Sequence, residues 1–176
     1  RSAVLILTLM TTMAVRTGRS APWSVALGTD ADEEARAVAG ARDGSILVGG
    51  TLRVGPGNHD AFAACFDIRG NLLWQTSFGG LLEDAVTSAA AHPQGGWVVA
   101  GTRNGTAATK SFVARLWSDG AIAWERTWPG MGARVAVRAD GSCVVGTENP
   151  GRLVVLDDRG YVLWRRAWLD VTHVTS

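Results

Sequence analysis

The chain repeats itself. Trp23, Trp74, Trp124 and Trp164 stand 51, 50 and 40 residues apart, and each is followed four positions later by an apolar residue: Leu27, Phe78, Trp128 and Trp168. Before the last three runs a common phrase, DIRGNLLW, WSDGAIAW and DDRGYVLW, in which Gly70, Gly120 and Gly160 fall four residues ahead of the Trp. A second phrase recurs midway through each unit: DGSILVGGT from Asp43, QGGWVVAGT from Gln94 and DGSCVVGT from Asp140. Two independent phrases recurring in one order define a structural unit, and a unit this short buries its apolar face only by stacking on its neighbours.

Each unit reads as four short strands, because stretches rich in Val, Ala, Leu and Trp are broken by Gly, Asp and Asn instead of running at helical period. In the second unit these are VTSAAAHP, GWVVAGTR, SFVARLWS and AIAWERTW. Asp43-Gly44, Gln94-Gly95 and Asp140-Gly141 turn strand one into strand two. Arg69-Gly70, Asp119-Gly120 and Arg159-Gly160 turn strand three into strand four, and tight hairpins of this kind need the positive φ that glycine supplies. Successive antiparallel four-stranded units of this length predict an all-β chain of β-propeller blades. Three whole blades are expected over residues 22–176, in units starting near Trp23, Trp74 and Trp124, while LDVTHVTS, which parallels LEDAVTSA at Leu82, opens a fourth unit after Trp164. Closed rings take roughly four to eight blades, so the expectation is an incomplete ring. It is either the N-terminal part of a longer propeller or a chain that self-associates to close one.

The order Trp-x-x-x-aromatic-Gly-Gly, then Asp-Gly or Gly-Gly before a Val-rich strand ending Gly-Thr, then Asp-x-x-Gly-x-x-x-Trp resembles the repeat of bacterial secreted β-propeller repeat proteins. The resemblance covers residues 23 to about 169 and is clearest in WQTSFGGLLEDAVTSAAAHPQGGWVVAGT. The phrase is also similar to the quinoprotein-type blade, whose Trp-docking phrase likewise ends Gly-x-x-x-Trp but has one more residue between Asp and Gly than DIRG. That departure favours the first group. Members of such groups mostly lack a defined activity, so the resemblance implies a fold much more strongly than a function.

Burying an indole removes about 150–250 Å² from water, on the order of 4–6 kcal/mol gross. A Trp at one place in every unit is therefore read as packing one blade on the next, which makes Trp23, Trp74, Trp124 and Trp164, with Gly70, Gly120 and Gly160, the structural anchors of the repeat. Trp97 and Trp117 have no Trp counterparts, and Trp117 is the better candidate for ligand stacking. A four-stranded meander puts its one-to-two and three-to-four turns on one face. Its two-to-three loops and blade connections lie on the other, and here only that second set varies, which is where a rigid scaffold carries recognition. Asp30, Asp32, Glu33, Glu34, Glu83 and Asp84 gather there as an acidic group that would attract a cation or a basic partner.

Composition narrows the function from the other side. Seventeen Lys and Arg against sixteen Asp and Glu leave a formal charge of +1, so no strong field exists to hold nucleic acid. Cys65 and Cys143 have no metal-ligand companions and suggest no disulfide framework, and His59, His92 and His173 share no zinc spacing. No calcium loop, P-loop, Gly-x-Ser-x-Gly or His-Glu-x-x-His is present, and no cofactor is implied. Arg1 and the apolar run from Ala3 to Val15 suit a signal-peptide core, which places a leader at residues 1–21 and the mature chain, with no further run long enough to span a membrane, in the periplasm, the cell envelope or the medium. The reading that follows is a non-catalytic secreted or cell-envelope propeller module for an unidentified protein or small ligand. The alternative is a fragment of a quinoprotein-like or hydrolytic propeller enzyme, which would need polar groups from the innermost strands; ARAVAGAR, VTSAAAHP and RVAVRAD are dominated by Ala and Val.

Overall fold

A computed structural model describes residues 5–8, 23–27, 33–80, 82–104 and 108–167. Among them are fourteen strands and no helix. Two short strands, β1 (Leu5–Thr8) and β2 (Ser24–Leu27), pair antiparallel. Blade one follows as β3 (Glu34–Gly40), β4 (Ile46–Gly55), β5 (Asn58–Phe66) and β6 (Leu72–Phe78). Blade two is β7 (Asp84–Ala91), β8 (Trp97–Asn104), β9 (Thr109–Leu116) and β10 (Ile122–Pro129), and blade three is β11 (Ala133–Val137), β12 (Cys143–Thr147), β13 (Arg152–Leu156) and β14 (Val162–Ala167). Strands pair only with their neighbours in sequence, so each blade is the antiparallel meander that the repeat predicts. The described residues form an open arc of propeller blades. Of the stretch read as a leader, Leu5–Thr8 is described, as β1.

The middle strands are buried on both faces, and their alternation decides which neighbour each side chain meets. On β8 and β9, Trp97, Val99, Phe112, Ala114 and Leu116 join Leu47, Ala63 and Cys65 of blade one in one cluster, whereas Val98, Ala100 and Val113 join Cys143, Val145 and Val154 of blade three in another. Trp97, 2% exposed, is thus a core residue. The two cysteines lie in different clusters as free thiols.

The repeated Trp ties blade to blade at the rim. Trp74 on β6 rests on the hairpin between β9 and β10: its Nε1 donates to the Ser118 carbonyl at 2.6 Å, and a Cβ on Gly120 would lie 2.6 Å from its ring carbon Cε3. Trp124 on β10 treats blade three the same way, donating to the Asp158 carbonyl at 2.9 Å over Gly160. Ahead of β2, Trp23 donates to the Ile68 carbonyl at 2.9 Å over Gly70. Glycine is demanded at these hairpins twice over, by φ of +87°, +88° and +79° at Gly70, Gly120 and Gly160 and by the indole lying where a side chain would stand.

Candidate functional site

On the face of the variable loops, a cavity of about 480 Å³ opens between blades one and two. Glu33, Glu34 and His59 line it from blade one and Glu83, Asp84 and Asn104 from blade two, all at strand ends or the connections beside them. Two further lining residues, Arg36 and Thr87, come from the innermost strands, and a bulge delivers each. Pairing of β3 with β4 passes from Ala35↔Gly50 to Ala37↔Gly49 and skips Arg36; β7 with β8 passes from Val86↔Gly101 to Ser88↔Ala100 and skips Thr87. A bulge re-aims the unpaired side chain. It also brings the inner strand hard against the next one, so that a Cβ on Gly50 would run into the Glu34 carbonyl oxygen and one on Gly101 into that of Ala85. Blade three pairs Arg134↔Gly146 and Val135↔Val145 with no skip, and Gly146 has open space around it.

Charge in the cavity is predominantly acidic. Arg36 holds Glu34 through Nε at 3.0 Å and Nη2 at 2.8 Å. His59 Nδ1 stands 3.6 Å from Glu83 Oε1, an ion pair whenever the ring is protonated. Asp84, 1% exposed, accepts the Gly80 N–H at 2.6 Å on Oδ2 and the Asn104 N–H at 2.8 Å on Oδ1, which pins the entry to blade two. Burial raises its pKa above the ordinary carboxylate value, the two backbone donors and then the Arg103 charge pull against that rise, and the Asp60 carboxylate adds to it. Gly79 is wedged between Asp60 and Asp84: a Cβ there would meet Asp60 Oδ1 and lie 2.7 Å from Asp84 Oδ2.

Of the residues singled out from sequence, Glu33, Glu34, Glu83 and Asp84 come together here, while Asp30 and Asp32 lie outside the described residues, as does His173. His59 and Asn104 belong to the variable two-to-three connections already expected on this face, whereas Arg36 and Thr87 were not anticipated. The Gly-Thr ending of strand two, where Gly50 and Gly101 accommodate the bulges, does not single them out, since it recurs in blade three without a bulge in β11. Trp117 is 53% exposed but sits on the opposite face, at the start of the β9–β10 hairpin, with the Arg115 guanidinium 5.2 Å from its ring centroid. Arg115 itself is buried against the carbonyls of Trp97, Leu116 and Gly95. His92 is buried at the junction of blades two and three, its Nε2 3.3 Å from the Gly141 carbonyl oxygen. Burial pushes both the Cys65 and the Cys143 thiol up to about 11, so neither is a thiolate near neutral pH. Among the described residues no helix is long and apolar enough to cross a membrane.

Comparison with known proteins supports the architecture. The chain is similar to the crystal structure of a protein of unknown function from Bacteroides caccae, at 15% identity and a TM-score of 0.53 over 82% of this chain and 48% of that one. It is similar also to BamB from Moraxella catarrhalis, a propeller, at 18% identity and a TM-score of 0.56 over 82% of this chain and 40% of that one. The chain therefore spans less than half the length of either solved chain, and the likeness defines a β-propeller fold. No family model and no curated protein matches the sequence.

Proposed function

We propose that the chain is a non-catalytic interaction module of the propeller type, which recognises a basic partner at the acidic cavity between blades one and two. The observation that carries this reading is the convergence of Glu33, Glu34, Glu83 and Asp84 on one cavity at the face of the variable loops. Arg36 is engaged with Glu34, His59 stands beside Glu83 and the Arg103 charge acts on Asp84, but the four carboxylates of the lining still outnumber its one guanidinium, so the cavity attracts a Lys or Arg side chain presented on a peptide or protein loop. A binding role, and not acid–base chemistry, is supported by the occupation of both Asp84 oxygens by backbone N–H groups, which leaves that carboxylate a structural task. The apolar run from Ala3 to Val15 supports export, with residues 1–21 as the leader and the propeller beginning at residue 22.

The test uses an arginine- and lysine-rich dodecapeptide as probe, titrated calorimetrically against the full chain. Binding should weaken about ten-fold or more in Glu34→Gln/Glu83→Gln and with rising salt, as expected when two interfacial charges are lost. Binding that ignores both substitutions would reject the cavity as the recognition site.

A further inference from the structure

The device that joins blade to blade is present once more at the far side of blade three, where it is uncovered. Trp164 pairs with Val155 across β14 and β13, in the register in which Trp74 pairs with Cys65 and Trp124 with Arg115. Trp74 and Trp124 are half-buried, and each gives its indole N–H to a carbonyl two residues before a hairpin glycine. Trp164 is 47% exposed, and its N–H meets no acceptor among the described residues. Arg166 follows it by two positions, as Arg126 follows Trp124. Arg126 shows what that position does: its Nε donates to the Gly160 carbonyl at 2.8 Å, and its guanidinium lies 5.9 Å from the ring centroids of Trp124 and of Tyr161 in the next hairpin.

We propose that Trp164 and Arg166 form a docking site for a further blade that continues the arc beyond β14. The three existing junctions specify the hairpin, and the junction of blades two and three adds the contact of the guanidinium. The further blade must present, between its third and fourth strands, a hairpin with glycine at positive φ, so that the indole can lie on bare backbone, and a free carbonyl two residues before that glycine, for the indole N–H. As at Arg126, to which Val25 and Thr76 at the other two junctions are no counterpart, the glycine carbonyl itself receives the guanidinium. A second copy of the chain does not meet this specification. In any copy Gly70, Gly120 and Gly160 are already covered by Trp23, Trp74 and Trp124, which leaves no such hairpin vacant among the described residues. The inference rests on the blade junctions and is independent of the acidic cavity.

The sequence itself supplies a probe. Its last three residues, Val174 to Ser176, repeat Val86 to Ser88, so residues 89–129 fused after Ser176 complete a fourth blade with its own copy of Gly120. Solvent exchange of the Trp164 indole N–H, assigned by NMR through Trp164→Phe, should slow about ten-fold or more in the fusion relative to the parent chain. Gly→Ala at the fused copy of Gly120 should restore the parent rate. A fused blade that folds without slowing that exchange would overturn the proposal. So would a parent chain that is dimeric by light scattering and turns monomeric in Trp164→Ala, since a second copy would then occupy the site. The parent alone supplies a further check: Trp164→Ala should leave its denaturation midpoint in place while Trp124→Ala lowers it. Equal losses would mean that Trp164 is already docked within the chain, which sinks the idea whether or not the fusion folds.

Discussion

At Gly120 two separate physical demands meet, and they can be told apart. Gly95 has φ of +91° with open space where a Cβ would stand, whereas Gly120 has φ of +88° with Trp74 in that space. Gly95→Ala should cost only the left-handed backbone, about 1–2 kcal/mol. Gly120→Ala should add a clash with the indole and cost about 2–5 kcal/mol in all, read from urea unfolding. His92 lends itself to a second residue-scale prediction. Burial, followed by the nearby Arg115 cation, holds its pKa below the ordinary 6.5, against the opposing pull of the Gly141 carbonyl and Asp158. A base with a depressed folded pKa binds protons more readily unfolded, so its contribution to stability is complete above pH 6.5 and is lost as pH falls from there toward the folded value. The unfolding midpoint should therefore drop between pH 7 and pH 5.5 in the native chain and drop less in His92→Gln. Asp84, whose raised pKa works with the opposite sign, is common to both proteins and cancels in that comparison.

Strands and their bulges decide the cavity. Gly101 and Gly146 end the same phrase in blades two and three, but only Gly101 faces a bulged partner. Gly101→Ala should force the β7 bulge to move, because its Cβ meets the Ala85 carbonyl and comes within 3.0 Å of the Phe112 ring. The expected cost is about 2 kcal/mol or more, together with weaker binding of the basic peptide as Thr87 and Asp84 shift. Gly146→Ala, with nothing near it, should be neutral or stabilising by up to about 1 kcal/mol. These bulges explain why the candidate site was only half legible. Glu33, Glu34, Glu83 and Asp84 were visible as acidic residues on variable connections. Arg36 and Thr87 sit in innermost strands whose Ala- and Val-rich sequences advertise no polar lining, because an unpaired residue is a property of two strands in register and not of either one alone.

Along the whole molecule the blades form a nearly one-dimensional stack, each cluster shared only between neighbours. Weakening one junction should therefore uncouple the arc locally. Trp124→Ala removes the indole from the joint of blades two and three, together with its bond to the Asp158 carbonyl and the ring beneath Arg126. It should cost about 3–5 kcal/mol and split a single unfolding transition into two, with amides of β11–β14 exchanging with solvent ahead of those in β7–β9 in mass-spectrometric hydrogen exchange. A single transition would mean that the buried cluster around Cys143 and Val145, not the Trp, carries the coupling. What the sequence determined by itself was the blade: its four strands, the hairpins at Gly44, Gly70, Gly95, Gly120, Gly141 and Gly160, and the recurrence of the Trp. Hairpin φ and side-chain alternation are short-range properties, written within a few residues. Tertiary structure alone decided which residues meet across some fifty positions of chain. It brought Arg36 and Thr87 to the cavity through two bulges, laid the Trp74 indole on the bare backbone of Gly120 and left Trp164 uncovered, because those relations arise from the stacking of blades and from strand register, neither of which any local stretch encodes.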